Sequence, residues 1–320
     1  MHTLFKTWIL GALFCLIVYG CSRQETGDSR WRQENGKLKV LTTIAMINDL
    51  VKQIGDDHVD TIALIRGELD PHSYELVKGD DEKFIRADLI FYNGLGLEHG
   101  LSLRQNLMNN PKAVAVAEPL LRENPNLILM VDGQYDPHVW MDISLWMRTI
   151  DPIVEALSKK DPIHASTYRL NGQRLWQRMH ETDEKLYSVL QAVPSEKRYL
   201  VTSHDAFHYF TRHYLANSGE INWQERCKAP EGLAPEAQLS VNDVIAIVRH
   251  IKDFRIEVLF PESNVSKDSL RKILHAGKEK GCTIRLCEEE LYGDSMGNVD
   301  SYLEMITHNV EVIARELEHE

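Results

Sequence analysis

Two copies of one tripeptide, Asp70-Pro71-His72 and Asp136-Pro137-His138, hold the residue types best able to bind an ion. A proline ahead of a histidine fixes the local backbone and removes one amide donor, so each imidazole projects from a stiff turn. Two such turns imply two imidazoles held for one purpose, and the chemistry they suggest is a metal site between two lobes. In open parallel α/β sheets, ligands bind beyond the carboxyl ends of the strands. Looking just past each expected strand adds His204, in Thr202-Ser203-His204-Asp205, and Asp294, in Tyr292-Gly293-Asp294-Ser295.

Three imidazoles and one carboxylate form a borderline set. It suits Zn(II), Mn(II) or Fe(II) and disfavours calcium or magnesium, which want oxygen alone. If Asp294 grips with both oxygens, the coordination number rises to five and manganese or iron gains over zinc. His208 lies one turn beyond His204 on the same expected helical face and is its rival as ligand. Other histidines, His213 and His250 among them, lack strand-end context and read as solvated.

Strands expected near 39–44, 59–65, 88–92 and 113–117 alternate with helices near 47–55, 80–87 and 97–108. Continuous apolar strand runs indicate a parallel sheet covered on both faces. A helix over 143–157 follows. Asp161-Pro162 then opens a long helix reaching about Ala192, where Pro194 stops it. It is expected to be anchored by Leu170, Trp176, Leu186 and Leu190. After it the alternation restarts, with strands near 198–202, 255–260 and 283–287. Helices are expected near 205–215, 240–251, 266–281 and 300–317, and an irregular loop over 218–238. The fold class is therefore α/β: two Rossmann-like parallel-sheet lobes, residues 37–160 and 194–320, joined by a single long rigid connecting helix at 161–193.

The beginning of the chain reads as an export signal. Lys6 precedes an apolar run from Thr7 to Val18, too short to span a bilayer as a stable helix. The sequence Val18-Tyr19-Gly20-Cys21 resembles a bacterial lipobox. Residues 1–20 are thus a signal peptide, Cys21 is the acylated residue, and polar residues 21–36 are a flexible tether. This places the protein in the periplasm or on the outer face of the cytoplasmic membrane, anchored through lipid. A formal net charge of −12 offers nucleic acid no basic surface. Of the remaining cysteines, Cys227 is expected to form a disulfide with Cys282 or Cys287. No CxxC pair is present for a zinc–thiolate site.

Five stretches carry a family resemblance: Asp70-Pro71-His72-Ser73-Tyr74-Glu75, Asn93-Gly94-Leu95-Gly96-Leu97-Glu98, Asp136-Pro137-His138-Val139-Trp140-Met141-Asp142, Thr202-Ser203-His204-Asp205-Ala206-Phe207 and Tyr292-Gly293-Asp294-Ser295-Met296-Gly297. In this order they resemble the cluster A-I metal-binding substrate-binding proteins of ABC transporters, the ZnuA/TroA/PsaA family, over residues 37–320. The resemblance implies two lobes with one divalent ion between them as transported ligand, held by His72, His138, His204 and Asp294. It also implies a monomer that hands the ion to an ABC permease and its ATPase. Histidine at 204 resembles the TroA branch, and the stretch Asn222 to Gln238 resembles an insertion of YtgA-type members, which are linked to iron. Two rival functions remain at this stage. One is a zinc hydrolase with Asp205 or Glu75 as general base; the other is a surface adhesin with a structural metal.

Overall fold

The structure, a computed structural model, describes residues 31–235 and 239–318. The expected signal peptide and Cys21 lie outside the described residues. The end of the expected tether does not. Trp31 is 1% exposed, and its indole donates to the Asp60 carbonyl at 2.9 Å. The folded lobe therefore already includes Trp31 rather than starting after Gly36, because an indole carries too much apolar surface to leave in water.

Strands β1 (Leu38–Thr42), β2 (Val59–Ala63), β3 (Leu89–Tyr92) and β4 (Ala113–Ala115) form one parallel sheet in the order β2-β1-β3-β4. Helices α1 (Ala45–Gly55), α2 (Asp80–Arg86) and α3 (Leu101–Asn109) connect them. Val40, Leu41, Ile90 and Phe91 are fully buried, as both-face coverage of a parallel sheet demands. Past β4 come α4 (Glu118–Glu123) and an antiparallel hairpin of β5 (Met130–Val131) and β6 (Gln134–Tyr135). These two-residue strands carry no alternation long enough to read in sequence. Next are α5 (Ile143–Trp146) and α6 (Ile150–Lys160).

The connecting helix α7 spans Ala165–Ala192, 28 residues, after a 3-10 turn at Pro162–His164. At 1.5 Å per residue it is about 42 Å long. Its buried stripe is Tyr168, Gly172, Leu175, Met179, Asp183, Leu186 and Leu190. Leu170 and Trp176, expected as anchors, are about half exposed. The 3-4 spacing of the true stripe decides this, since 170 and 176 fall off that face. Gly172 is needed for packing: a Cβ there would lie 2.7 Å from Val154 on α6.

The second half holds β7 (Leu200–Val201), α8 (His208–Phe210), β8 (Cys227–Lys228), α9 (Val241–Phe254), β9 (Val258–Leu259), α10 (Asp268–Glu279), β10 (Arg285–Leu286) and α11 (Tyr302–Glu318). A capping box at Ser240 and Asp243 starts α9. β7 pairs with β8 and β9 with β10, both parallel, and the Phe260 amide donates to the Val201 carbonyl at 2.8 Å. The order is β8-β7-β9-β10. The region expected as an irregular loop therefore contributes an edge strand, and the helix expected over 205–215 is a short turn followed by a π-turn at Thr211–Leu215.

That order also removes the expected disulfide. Cys227 lies on one outer strand and Cys287 just past the other, three strand spacings or about 14 Å apart. Bridging needs Cα atoms within about 7 Å. Cys282 lies near Gly277 and Ile284, just before β10, and the three thiols are free.

One apolar cluster runs through both lobes and α7, from Trp31 to Leu317, while a smaller one around Ile251, Leu259 and Leu270 fills the outer part of the second lobe. α11 packs along α7 and begins against α1, where the Tyr302 amide donates to Asp49 at 3.0 Å.

Candidate metal centre

Each site residue stands on a loop at a strand end. The two Asp-Pro-His turns fold alike: Asp70 accepts the His72 amide at 2.8 Å, and Asp136 accepts the His138 amide at 3.0 Å. These are Asx turns, in which the aspartate side chain holds the backbone two residues on. Glu98, buried, accepts from the Asn93 and Gly94 amides and the Thr43 hydroxyl, which fixes the Asn-Gly-Leu-Gly turn. Asn93 in turn donates to the Pro137 carbonyl at 3.0 Å and so steadies the His138 turn from the first sheet.

His72, His138, His204 and Asp294 converge, with one ligand atom from each within 4.8 Å of all the others, and all four are buried. His72 Nε2 lies 3.2 Å from His138 Nε2. Asp294 places Oδ1 3.3 Å from His138 Nε2 and Oδ2 3.1 Å from His204 Nε2 and 3.6 Å from His72 Nε2. His204 Nε2 and Asp294 Oδ1 make no hydrogen bond despite full burial. Orphaned polar atoms of this kind carry a desolvation cost of about 1–3 kcal/mol each, which a bound cation would offset.

The outer nitrogens explain the orientation. His138 Nδ1 is hydrogen-bonded to Asp136 at 2.8 Å, and His204 Nδ1 stands 2.8 Å from Glu262 Oε2 as an ion pair without hydrogen-bond alignment. A carboxylate on Nδ1 keeps a proton there, so Nε2 is the nitrogen that faces inward and would supply its lone pair once an ion displaces its own proton. Burial pushes His72 down to about 3, leaving it neutral. Burial also opposes the charged form of His138, but Asp136 and Asp294 outweigh it and raise it to about 9. Glu262 and Asp294 likewise lift His204 well above its usual range against burial. Burial would raise Asp294, yet His204 and His138 draw it well below the usual carboxylate range. The cluster is thus one buried carboxylate among three imidazoles, with opposite charges pulled together where a cation would sit.

A family model described as "ZnuA: Zinc-uptake complex component A periplasmic" matches residues 40–316. The chain belongs to the ZnuA family. The metal-binding protein YtgA of Chlamydia pneumoniae is 40% identical over 99% of this chain and 96% of its own. The crystal structure of Fe(III)-bound YtgA from Chlamydia trachomatis has a TM-score of 0.84 at 40% identity, covering 88% of this chain and 98% of that one. The periplasmic zinc-binding protein TroA from Treponema pallidum has a TM-score of 0.80 at 31% identity, covering 89% and 100%. The two-lobed α/β architecture expected from the motifs is shared with these neighbours.

Within this ZnuA-family chain, His208 stands outside the cluster. The turn after His204 is not helical, so the two side chains do not share a face. His208 instead reaches the second oxygen of Asp136 at 3.2 Å. Asp136 thereby spans two imidazoles, and although burial opposes its charge they hold it down at about 2. Glu75, a nominated general base, accepts the Leu101 and Ser102 amides at the start of α3. Asp205 lies 3.6 Å from His208.

Glu262 was missed by sequence reasoning, although it sits three residues past β9, at the very strand end where ligands were sought. The 222–238 stretch also matters here: the backbone at Glu231 pairs with that at His204 in a parallel β-bridge, and the Asp205 amide donates to the Gly232 carbonyl at 3.2 Å. Gly293 has a local cause, since a Cβ there would stand 2.3 Å from Glu262 Oε2. Nor is His213 simply solvated. It joins Asp142 and Asp183 in a second cluster, where Asp183 accepts from His213 at 2.9 Å and from the Tyr214 hydroxyl at 2.6 Å. His250 is buried as well, at 8% exposure.

Proposed function

We propose that the protein captures one first-row transition metal ion between its lobes and delivers it to an ABC permease driven by its ATPase. On this reading it is a monomer, tethered through acylated Cys21 outside the cytoplasmic membrane, with His72 and His138 from the first lobe and His204 and Asp294 from the second as ligands. The observation that carries it is the convergence of three inward Nε2 atoms and one carboxylate in a fully buried pocket, with His204 Nε2 and Asp294 Oδ1 lacking partners. Histidine nitrogen with a single carboxylate suits zinc, manganese or iron, and affinity alone follows the Irving–Williams order. The similar structures of Fe(III)-bound YtgA and of the zinc-binding protein TroA support the same class of cargo.

Four protein ligands would fill a tetrahedron, whereas a hydrolytic zinc keeps an open position. Glu75 is spent on a helix start. Both points favour a receptor over an enzyme. The test is anaerobic titration of Fe(II), Mn(II) and Zn(II) into metal-free protein, together with metal analysis of protein taken from its native envelope. One ion per chain, exchangeable without unfolding, is expected. Binding of none of the three would overturn the proposal, and metal that leaves only on unfolding would make its role structural.

A further inference from the structure

The four site residues are not tied to the rest of the molecule in the same way. His138, His204 and Asp294 are locked together by buried bonds across the lobes. The Trp140 indole donates to the Gly293 carbonyl at 2.9 Å, the Tyr302 hydroxyl to the Trp140 carbonyl at 2.6 Å, and the Tyr209 hydroxyl to the Asp136 carbonyl at 2.9 Å. These bonds join the His138 stretch directly to the Asp294 loop and to the second lobe.

His72 stands on a different footing. Its loop leaves β2 through Gly67, which has a positive φ of 61° and open space around it. The loop meets the second lobe at Glu68, an exposed residue. One oxygen of Glu68 accepts from the Ser263 hydroxyl at 2.8 Å and from the Ser295 hydroxyl at 2.7 Å. Ser295 directly follows Asp294, and Glu68 is four residues before His72. Of the four site residues, His72 alone lines the cavity of about 440 Å³ that opens beside the site, between His99, Glu118 and Gln134 of the first lobe and Leu233 and Ala234 of the second.

We propose that Glu68 is a latch: its carboxylate bridges Ser263 and Ser295 to hold the His72 loop closed, and the ion enters and leaves by the cavity when that latch opens and His72 withdraws. This rests on the receptor reading and adds which ligand lets go. Glu68 acts through His72 and is a positioning residue. The remaining three ligands stay assembled during exchange, so the barrier to release is set at the exposed edge rather than in the buried half.

The test compares wild type with Glu68→Ala, Glu68→Gln and Ser263→Ala/Ser295→Ala, loaded with Zn(II) and mixed rapidly with excess chelator. Glu68→Ala is expected to speed dissociation about tenfold, equivalent to about 1.4 kcal/mol. Glu68→Gln, which keeps one acceptor oxygen, should recover part of the slow rate. The double serine variant should match Glu68→Ala, and combining all three changes should add little further. Melting of the metal-free protein should not move, which separates a latch from general support of the fold. Dissociation within twofold of wild type in both Glu68→Ala and the serine variant would overturn the latch while leaving the receptor intact. If Glu68→Ala fails to fold, the serine variant decides by the same criterion. A wild type that binds no Zn(II), Mn(II) or Fe(II) would overturn the receptor reading itself.

Discussion

Among the described residues, histidine and aspartate gather in two clusters, one fully buried and one whose His213 is half-buried, and they differ in what their nitrogens and oxygens face. In the Asp142–Asp183–His213 cluster the polar atoms are consumed. Asp142 caps α5 through the Ser144 and Leu145 amides, and Asp183 accepts from His213 and Tyr214. In the His72–His138–His204–Asp294 cluster the carboxylates of Asp136 and Glu262 hold the outer nitrogens, and the inner atoms face one another across a few ångströms. One cluster is closed on itself and ties α7 to both lobes. The other leaves His204 Nε2 and Asp294 Oδ1 without hydrogen-bond partners, facing the point where a cation would sit. Residue types alone do not distinguish a fastening from a binding site; the direction of the lone pairs does. The heptapeptide Asp136 to Asp142 serves both, since it orients His138 at one end and supplies Asp142 at the other.

The contrast can be broken most forcefully at the ligands. His138→Ala should abolish stoichiometric ion binding in calorimetric titration, and because it leaves Asp136 and Asp294 buried without their imidazole the metal-free urea midpoint should fall as well. His213→Ala should cost stability without costing the ion. It leaves Asp142 and Asp183 without their histidine, at a cost of roughly 3 kcal/mol in urea unfolding, with ion stoichiometry still one. If His213→Ala lost the ion at unchanged stability, the two clusters would have exchanged roles. Glu262→Gln should weaken ion affinity about 10–100-fold, as loss of a carboxylate behind a ligating histidine does, with little change in unfolding. Gly293→Ala crowds the same carboxylate and should lie at the low end of that range, about tenfold.

A smaller effect sharpens the comparison through pH. Burial opposes the charge on His213, but Asp183 and Asp142 outweigh it and raise its pKa above the ordinary 6.5. Burial, aided by Asp183, raises Asp142. A raised pKa means the folded state holds the proton more tightly, so stability falls as pH rises. The contribution of His213 is therefore complete below 6.5 and lost as pH climbs through its higher folded value. The stability gap between wild type and His213→Ala should narrow from pH 6 toward alkaline pH in parallel urea titrations. A gap that widens would contradict the assigned charge pair.

Much of the site was legible because its parts are local. A proline before each histidine and an aspartate before each proline build the same Asx turn wherever they occur, and strand-end position marked His204 and Asp294. The alternation of apolar runs and helical stripes likewise announced two α/β lobes and a long helix between them. Glu262 and His213 escaped because nothing in their neighbours states what approaches them from 58 and 30 residues away in the chain. Trp176 and Leu170 were misplaced because an apolar side chain shows its face only once a helix finds its partners.

The amino-acid sequence by itself determined the turns, the periods and the residue types, since these depend on backbone sterics and on contacts within a few residues. Tertiary structure alone decided which carboxylate orients which imidazole. It also put Cys227 and Cys287 on opposite edges of a sheet and separated a self-satisfied cluster from one that faces inward. Those outcomes depend on strand order and lobe packing, which bring together side chains that have no memory of one another along the chain.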